Sequence, residues 1–196
     1  MSIGLVDLLK IVISATFIEN IILARYIGCC PYIGMSTDIA NSIGMGMAVA
    51  FVMVLSSVVT WALWNYIFVP LGLEYLRIMV FILVIAVLVQ LVEALLKKNV
   101  PNLYRAMGIY LPLITTNCAI LAVTFLGVDY HYSLLQVVVY SISVALGFTI
   151  AMVLLAGIRV KLRYAKVPSF YRGYPMAFIV TALLAIAFIG FKGLIK

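Results

Sequence analysis

Apolar residues in this chain fall in long unbroken runs, with short polar or basic stretches between them. Runs of roughly 20 residues, long enough to cross the hydrocarbon core of a bilayer, cover about residues 5–27, 42–62, 76–96, 105–127, 133–157 and 175–195. Six such segments joined by short connections predict an all-α integral membrane protein. Residues 1–196 then form a single polytopic domain, leaving no room for a separate soluble one. The first run reads as a span, not a cleavable signal. A signal's apolar region is about 7–15 residues, and this run lacks a basic lead-in and a small-residue cleavage site.

Composition agrees: of 196 residues, 67% are hydrophobic and 10% charged, too little polar surface for a soluble domain of this size. The formal charge of +7 is distributed unevenly. With six spans, both termini share a side with Arg77, Lys192 and Lys196, and Lys10 lies just inside the first span. The opposite side takes Arg25, Lys97, Lys98, Arg105, Arg159, Lys161, Arg163, Lys166 and Arg172. Basic loops stay cytoplasmic. Both termini are therefore expected outside, with loops 28–41, 97–104 and 158–174 in the cytoplasm. Trp61, Trp64 and Tyr66 mark the outer end of the second span, and Tyr164, Tyr171 and Tyr174 the inner end of the sixth. The charge thus records topology, and nucleic-acid binding is not expected. The basic loop Ile158 to Gly173 could also dock an acidic cytoplasmic partner, but the positive-inside bias suffices to explain it. His131 reads as a solvated loop residue, Glu93 as the helix-end partner of Lys97, and "GMGMAVAFVM", Gly44 to Met53, as a close-packing face.

The stretch "ENIILARYIG", Glu19 to Gly28, resembles "TNCAILAVTFLG", Thr116 to Gly127, once two single-residue insertions are allowed. The match pairs the first span with the fourth. Two halves follow, about residues 1–99 and 100–196, each with three spans. An odd number turns the second half over, giving two inverted three-helix repeats, an arrangement that puts the working site near the midplane. The paired spans also carry the chemistry that breaks helices. Pro112 removes a backbone donor, and Thr115, Thr116 and Asn117 can satisfy the groups it frees. At 1.5 Å per residue, Cys118 falls near mid-depth, as do Glu19 and Asn20 from the other face. Helices 1 and 4 are expected to be broken there. An ionisable Glu19 at that depth costs roughly 2.5–3.5 kcal/mol on insertion scales. It is either functional or a protonated acid hydrogen-bonded to a neighbouring helix. Glu19, Asn20, Thr115, Thr116 and Asn117 form the candidate ion path. In a different class of function, Glu19, Asn20 and Asn117 would line the midplane site of a secondary transporter for a small solute.

The chain's cysteines are Cys29, Cys30 and Cys118. A lone membrane cysteine is usually a small apolar side chain, but here both unusual segments bring thiols. A structural disulfide does not suit the cytoplasmic side. Zinc wants a fuller ligand set than a chain whose one histidine lies at the far side. A cysteine-ligated 2Fe–2S cluster takes four thiolates, of which this chain would give two.

"LARYIGCCPYIGMS", "FILVIAVLVQLVEALLKK", "YRAMGIYLPLITTNCAILAV" and the "YRG" of Tyr171 to Gly173 resemble RnfA, the first membrane component of the Rnf complex and a relative of its counterpart in the sodium-pumping NADH:quinone reductase, there the E component. The resemblance covers nearly the whole chain. It implies a six-span inverted-repeat subunit of a bacterial or archaeal cytoplasmic membrane, paired with a homologous, oppositely oriented subunit, RnfE. Two cysteines from each would hold a shared 2Fe–2S cluster. The complex passes electrons between ferredoxin and NAD and couples this to movement of Na⁺ or H⁺. By the family pattern the ligands are Cys30, directly before Pro31, and Cys118. Cys29, where an ordinary apolar residue is usual, is the alternative. Adjacent cysteines project differently, and Pro31 biases Cys30 toward an extended conformation that turns its thiol inward. The chain carries no dinucleotide fingerprint, P-loop or flavin-attachment motif, so flavin and NAD are expected on other subunits. The expected role is a component of a multi-subunit translocase, not catalytic alone. A scaffold with inert cysteines is the third alternative.

Overall fold

A computed structural model of the chain describes residues 5–71, 74–99, 114–166 and 168–190. Among the described residues every regular element is helical. Helix α1 (Leu5–Ile13) widens into a π-helical turn, Ser14–Ile18, and the short α2 (Cys29–Met35) follows after an irregular stretch. Helix α3 (Ile39–Leu63) runs on through a second π turn, Trp64–Phe68. Then come α4 (Arg77–Asn99), α5 (Cys118–Asp129), α6 (Leu134–Arg163) and α7 (Tyr174–Ile189). The segments Ile39–Phe68, Arg77–Ala94 and Leu134–Arg163 are long and apolar enough to cross a bilayer. Helix α5, with 12 residues, is about 18 Å long and cannot cross a core of about 30 Å alone. Pro112, Arg105, Lys192 and Lys196 lie outside the described residues, as do the start of the expected fourth span and the end of the sixth.

The core forms where α3 and α6 pack together. On α3 the buried positions Ser42, Met45, Val49, Val52, Met53, Ser56 and Thr60 recur every three to four residues, the spacing of one helix face. Val144, Phe148, Ala151, Met152 and Leu155 answer them from α6. The outward faces are as apolar as the inward ones: Met47 and Phe51 on α3, and Met79, Leu83 and Val87 on α4, are exposed. Such a surface suits lipid, not water. Several hydroxyls inside the helices are turned back onto their own backbone. Thr60 donates to the Ser56 carbonyl at 2.7 Å, Ser141 to Val137 at 2.7 Å and Thr181 to Ala177 at 2.7 Å. A hydrocarbon solvent offers them no other acceptor.

The first span is broken at the expected residues. The Glu19 N–H donates to the Ser14 carbonyl at 2.7 Å, a π-type bond, and the helix ends there with φ −104° and ψ 44°. Asn20, 1% exposed, supplies what the backbone loses. Its Nδ2 donates to the carbonyls of Thr16 (3.2 Å) and Gly147 (2.8 Å), and its Oδ1 accepts from the N–H groups of Ile22 (3.1 Å) and Leu23 (3.4 Å). Thr16 Oγ1 adds a bond to the Ser143 carbonyl at 3.1 Å. A Cβ on Gly147 would lie 2.8 Å from the Thr16 carbonyl oxygen, so only glycine admits this approach.

These contacts correct two sequence expectations. Asn20 meets α6 at Gly147, and Gly28 meets it at Phe148, so residues 20–28 make an excursion that returns to the level it left. That level is about 20 Å along α6 from its Leu134 end, near its midpoint. Cys29 and Cys30 therefore start α2 beside the middle of α6, not beyond its Arg163 end. Arg25 does not reach the basic end. It turns back toward Tyr130, just beyond the end of α5, where Trp61 Nε1 donates to the Tyr132 carbonyl at 2.9 Å and Arg77 pairs with Asp129 at 2.7 Å. The basic-side position for Arg25 requires a continuous first helix. The Asn20-capped turn removes that requirement.

Asn20→Ala should leave four hydrogen-bonding groups unserved inside the bilayer. A cost of about 1–3 kcal/mol is expected, read as a lower midpoint of unfolding in detergent micelles. Asn65→Ala, which removes an exposed amide bonded to the Trp61 carbonyl, should change the midpoint little. Equal midpoints for the two variants would show that the break does not depend on the Asn20 amide.

Candidate functional site

The cysteines occupy helix starts. Gly28 precedes α2 in the left-handed conformation, φ 87° and ψ 25°, a region that costs an L-residue about 1–2 kcal/mol. Cys29, Cys30 and Pro31 then form the first turn of α2, where a missing proline N–H costs nothing. Cys30 is thus helical, not extended as the local bias of Pro31 suggests. Its thiol diverges from that of Cys29 through the rotation between successive helical residues. At α5, Asn117 is the N-cap, and its Oδ1 accepts from the Ala119 N–H at 3.0 Å. The same device restarts the chain after both breaks: an asparagine whose side-chain oxygen takes the N–H two residues on.

The two starts abut. A Cβ on Gly28 would lie 2.9 Å from Ala119 Cβ, 3.3 Å from Asn117 Oδ1 and 3.4 Å from Phe148 Cε2. The residue before Cys29 thus touches the residue after Cys118. Cys30 and Cys118 are exposed, whereas Cys29 is half-buried and packs against the core. The Cys29 thiol donates to the Tyr26 carbonyl at 3.1 Å, so its proton already has an acceptor. Beside Cys118 the Asn117 Nδ2 is buried without a partner among the described residues, a donor left over in an apolar setting. With the first free N–H groups of α5 it makes the surroundings of Cys118 favourable to negative charge.

Exposed thiols, a leftover donor and a helix start fit an anionic, thiolate-ligated group. They supply half of what a 2Fe–2S cluster needs. Among the described residues no three His, Cys, Asp or Glu side chains group as a metal site. The missing ligands would have to come from another chain.

The candidate ion-path residues separate. Asn20 and Asn117 are buried, Thr115 is half-buried and Thr116 exposed. Glu19 is not a lone acid: its Oε2 lies 2.7 Å from Arg25 Nη2, which also donates to the Tyr130 hydroxyl at 3.3 Å. Glu19 faces a cavity of about 250 Å³, lined also by Lys10, Ser14, Tyr130, Tyr132 and Tyr140. A continuous first helix conceals this group. The signal that could reveal it is the Asn20 cap followed, eight residues on, by Gly28.

Comparison with known proteins adds a second line. Residues 8–195 match the family described as Rnf-Nqr subunit, membrane protein. Several relatives are first components, lettered A, of complexes of this kind. The chain is 47% identical over 187 residues to that component of the Na(+)-translocating ferredoxin:NAD(+) oxidoreductase complex of Acetobacterium woodii, covering 95% of this chain and 97% of that one. It is 48% identical over 189 residues to the corresponding component of the ion-translocating oxidoreductase complex of Syntrophotalea carbinolica, covering 96% and 98%. Its counterpart from Edwardsiella ictaluri, of the same description, is 47% identical over 190 residues, covering 97% and 98%.

Two glycines of the thiol segment should respond oppositely to an added methyl. Gly28→Ala meets both the left-handed penalty and the Ala119 contact. It should cost at least about 1–2 kcal/mol and lower the unfolding midpoint. Gly34→Ala in α2 meets nothing within 4 Å and should be neutral or slightly stabilising. A Gly28→Ala protein as stable as the parent would mean that the two helix starts do not abut.

Proposed function

The chain belongs to the Rnf-Nqr family, and from that membership we propose that it is a membrane subunit of an ion-translocating ferredoxin:NAD oxidoreductase. Its part is to carry electrons across the middle of the bilayer through a 2Fe–2S cluster shared with a homologous subunit of opposite orientation. The observation that supports this best is the pair of exposed thiols, Cys30 and Cys118, on abutting helix starts beside the middle of α6. A site for a small solute would turn its polar groups into a cavity of this chain. These thiols face out of it.

Cys30 and Cys118 would hold the cluster, whose contribution is a one-electron relay too deep in the membrane for soluble carriers. The Asn117 amide and the start of α5 would stabilise negative charge beside Cys118. Cys29, bonded to the Tyr26 carbonyl, fills the core as a small apolar side chain. The shared asparagine device at Asn20 and Asn117 supports two inverted three-span halves, about residues 1–99 and 100–196. The residual Lys and Arg asymmetry supports both termini outside the cytoplasmic membrane. Flavin and NAD belong to other subunits of the complex, and this chain is not catalytic alone. Na⁺ or H⁺ would approach through the Glu19 cavity and pass the level of Asn20, Thr115, Thr116 and Asn117.

In the assembled complex, Cys30→Ser and Cys118→Ser should each lose most of the iron assigned to this subunit pair and its reduced-state EPR signal, and Cys29→Ala should keep both. Loss in Cys29→Ala with retention in Cys30→Ser would reassign the ligand to Cys29. Retention in all three would put the cluster elsewhere.

Ion movement has its own test. Glu19→Gln combined with Arg25→Gln leaves the net charge around the cavity unchanged and should slow ion transport in proteoliposomes while sparing the EPR signal. Unchanged transport would return this pair to a structural role.

A further inference from the structure

We propose that a basic hollow at the Arg163 end of α6 seats the phosphate of an anionic phospholipid headgroup. The hollow is about 240 Å³ and is lined by Thr37, Arg159, Leu162, Arg163, Arg172 and Met176. It lies at the opposite end of α6 from the Glu19 cavity and stands independently of the cysteine reading.

Local structure sets its charge. Arg159 Nη1 donates to the Ile33 carbonyl at 2.8 Å and to Ser36 Oγ at 3.0 Å, which fixes the guanidinium over the end of α2. Both partners are neutral, so they orient the guanidinium without cancelling its charge. Arg163 Nη2 donates to the Thr37 carbonyl at 3.2 Å and stands 3.6 Å from Asp38 Oδ1, a loose and exposed pair. Arg172 lines the wall just before α7. Three guanidiniums thus line one hollow. The start of α7, at Gly173, opens onto the same hollow and adds the positive end of a 16-residue helix, a ready phosphate site.

The remaining features favour a lipid over a soluble phosphate or an acidic protein. Leu162 and Met176 give the hollow an apolar wall, and on α7 the exposed Ile179 and Leu183, three and seven residues beyond Met176, continue that face along the helix. An acyl chain would lie there. Tyr164, Phe170 and Tyr174, within two residues of Arg163 or Arg172 in the chain, are 87%, 82% and 65% exposed, aromatics of the kind found at headgroup level. The volume falls below the roughly 300–1,000 Å³ of pockets that enclose drug-sized ligands, which excludes an enclosed nucleotide. Basic pockets between spanning helices are established headgroup sites.

The test uses the purified full chain in detergent, titrated with phosphatidylglycerol or phosphatidylcholine of the same acyl chains and read by native mass spectrometry. Phosphatidylglycerol should bind preferentially. Arg172→Gln, which leaves the Arg159 and Arg163 bonds to residues 33–37 in place, should weaken it about fivefold, and Arg163→Gln with Arg172→Gln about 25-fold. Lys161→Gln with Lys166→Gln removes the same charge from exposed positions nearby and should change binding less than about twofold. Equal losses in the two double variants, or equal binding of the two lipids, would overturn the site. Displacement of the lipid by millimolar inorganic phosphate would reassign it to a soluble phosphate. Displacement by a polyglutamate peptide would reassign it to an acidic protein. Either result defeats the lipid proposal.

Discussion

A backbone amide in the middle of a bilayer has no water to turn to, and the rest of this structure depends on how that constraint is met at Asn20. Ending a helix there frees carbonyls behind and N–H groups ahead, each costing several kcal/mol in hydrocarbon if unserved. One carboxamide serves both sides: its nitrogen takes the Thr16 and Gly147 carbonyls, and its oxygen takes the Ile22 and Leu23 N–H groups. Gly147, without a side chain, lets α6 come close enough to take part. With these bonds in place the chain can leave the helix and return to it at Gly28. Without them it would be held in a continuous helix, and the cysteines would emerge at the membrane surface.

The detour sets the accessibility of the thiols. A straight first span would place Glu19 and Cys29 ten residues apart, about 15 Å along the axis. The excursion brings the chain back beside α6 at the level of Asn20, so that asparagine and the cysteine segment lie near one turn of α6, while the Glu19–Arg25 pair turns toward Tyr130 at the Leu134 end. Cys118 follows its own asparagine directly, with Asn117 as the N-cap of α5. Because Gly28 touches Ala119, neither helix start can shift without the other. Rigid elements thus hold the two exposed thiols, as a site completed by another chain requires.

Much of this is legible in the sequence because its causes are local. Run lengths give the long helices, and α3, α4 and α6 fall where the apolar stretches put them. The interruption at Glu19–Asn20 is readable because an acid and an amide at mid-depth have few other uses. The path between Asn20 and Gly28 is not readable. Run lengths measure spans as continuous helices, and the bonds that redirect the chain come from Gly147, over a hundred residues away. Arg25 is misplaced by sequence for that reason. The Cys30 conformation is misjudged for another: Pro31 restrains the residue before it, but in a first helical turn the helix overrides that local bias.

The ion pair imposes a further condition on how the Glu19 cavity can be interpreted. Alone, a carboxylate in a spanning segment is an unpaired charge, which is costly to place there. Arg25, brought back by the excursion, supplies a counterion at 2.7 Å, with the Tyr130 hydroxyl sharing the guanidinium. The pair is therefore one electrostatic object, about neutral in total. Removing either half does more than delete a side chain, since it leaves the other charge without its counterion. A glutamine at position 19 alone would leave Arg25 as a fixed cation beside the cavity, repelling any ion that entered. It would slow transport whether or not the carboxylate ever touched the ion. Only a change that neutralises both partners distinguishes a carboxylate that binds the ion from one that merely holds an arginine out of the way.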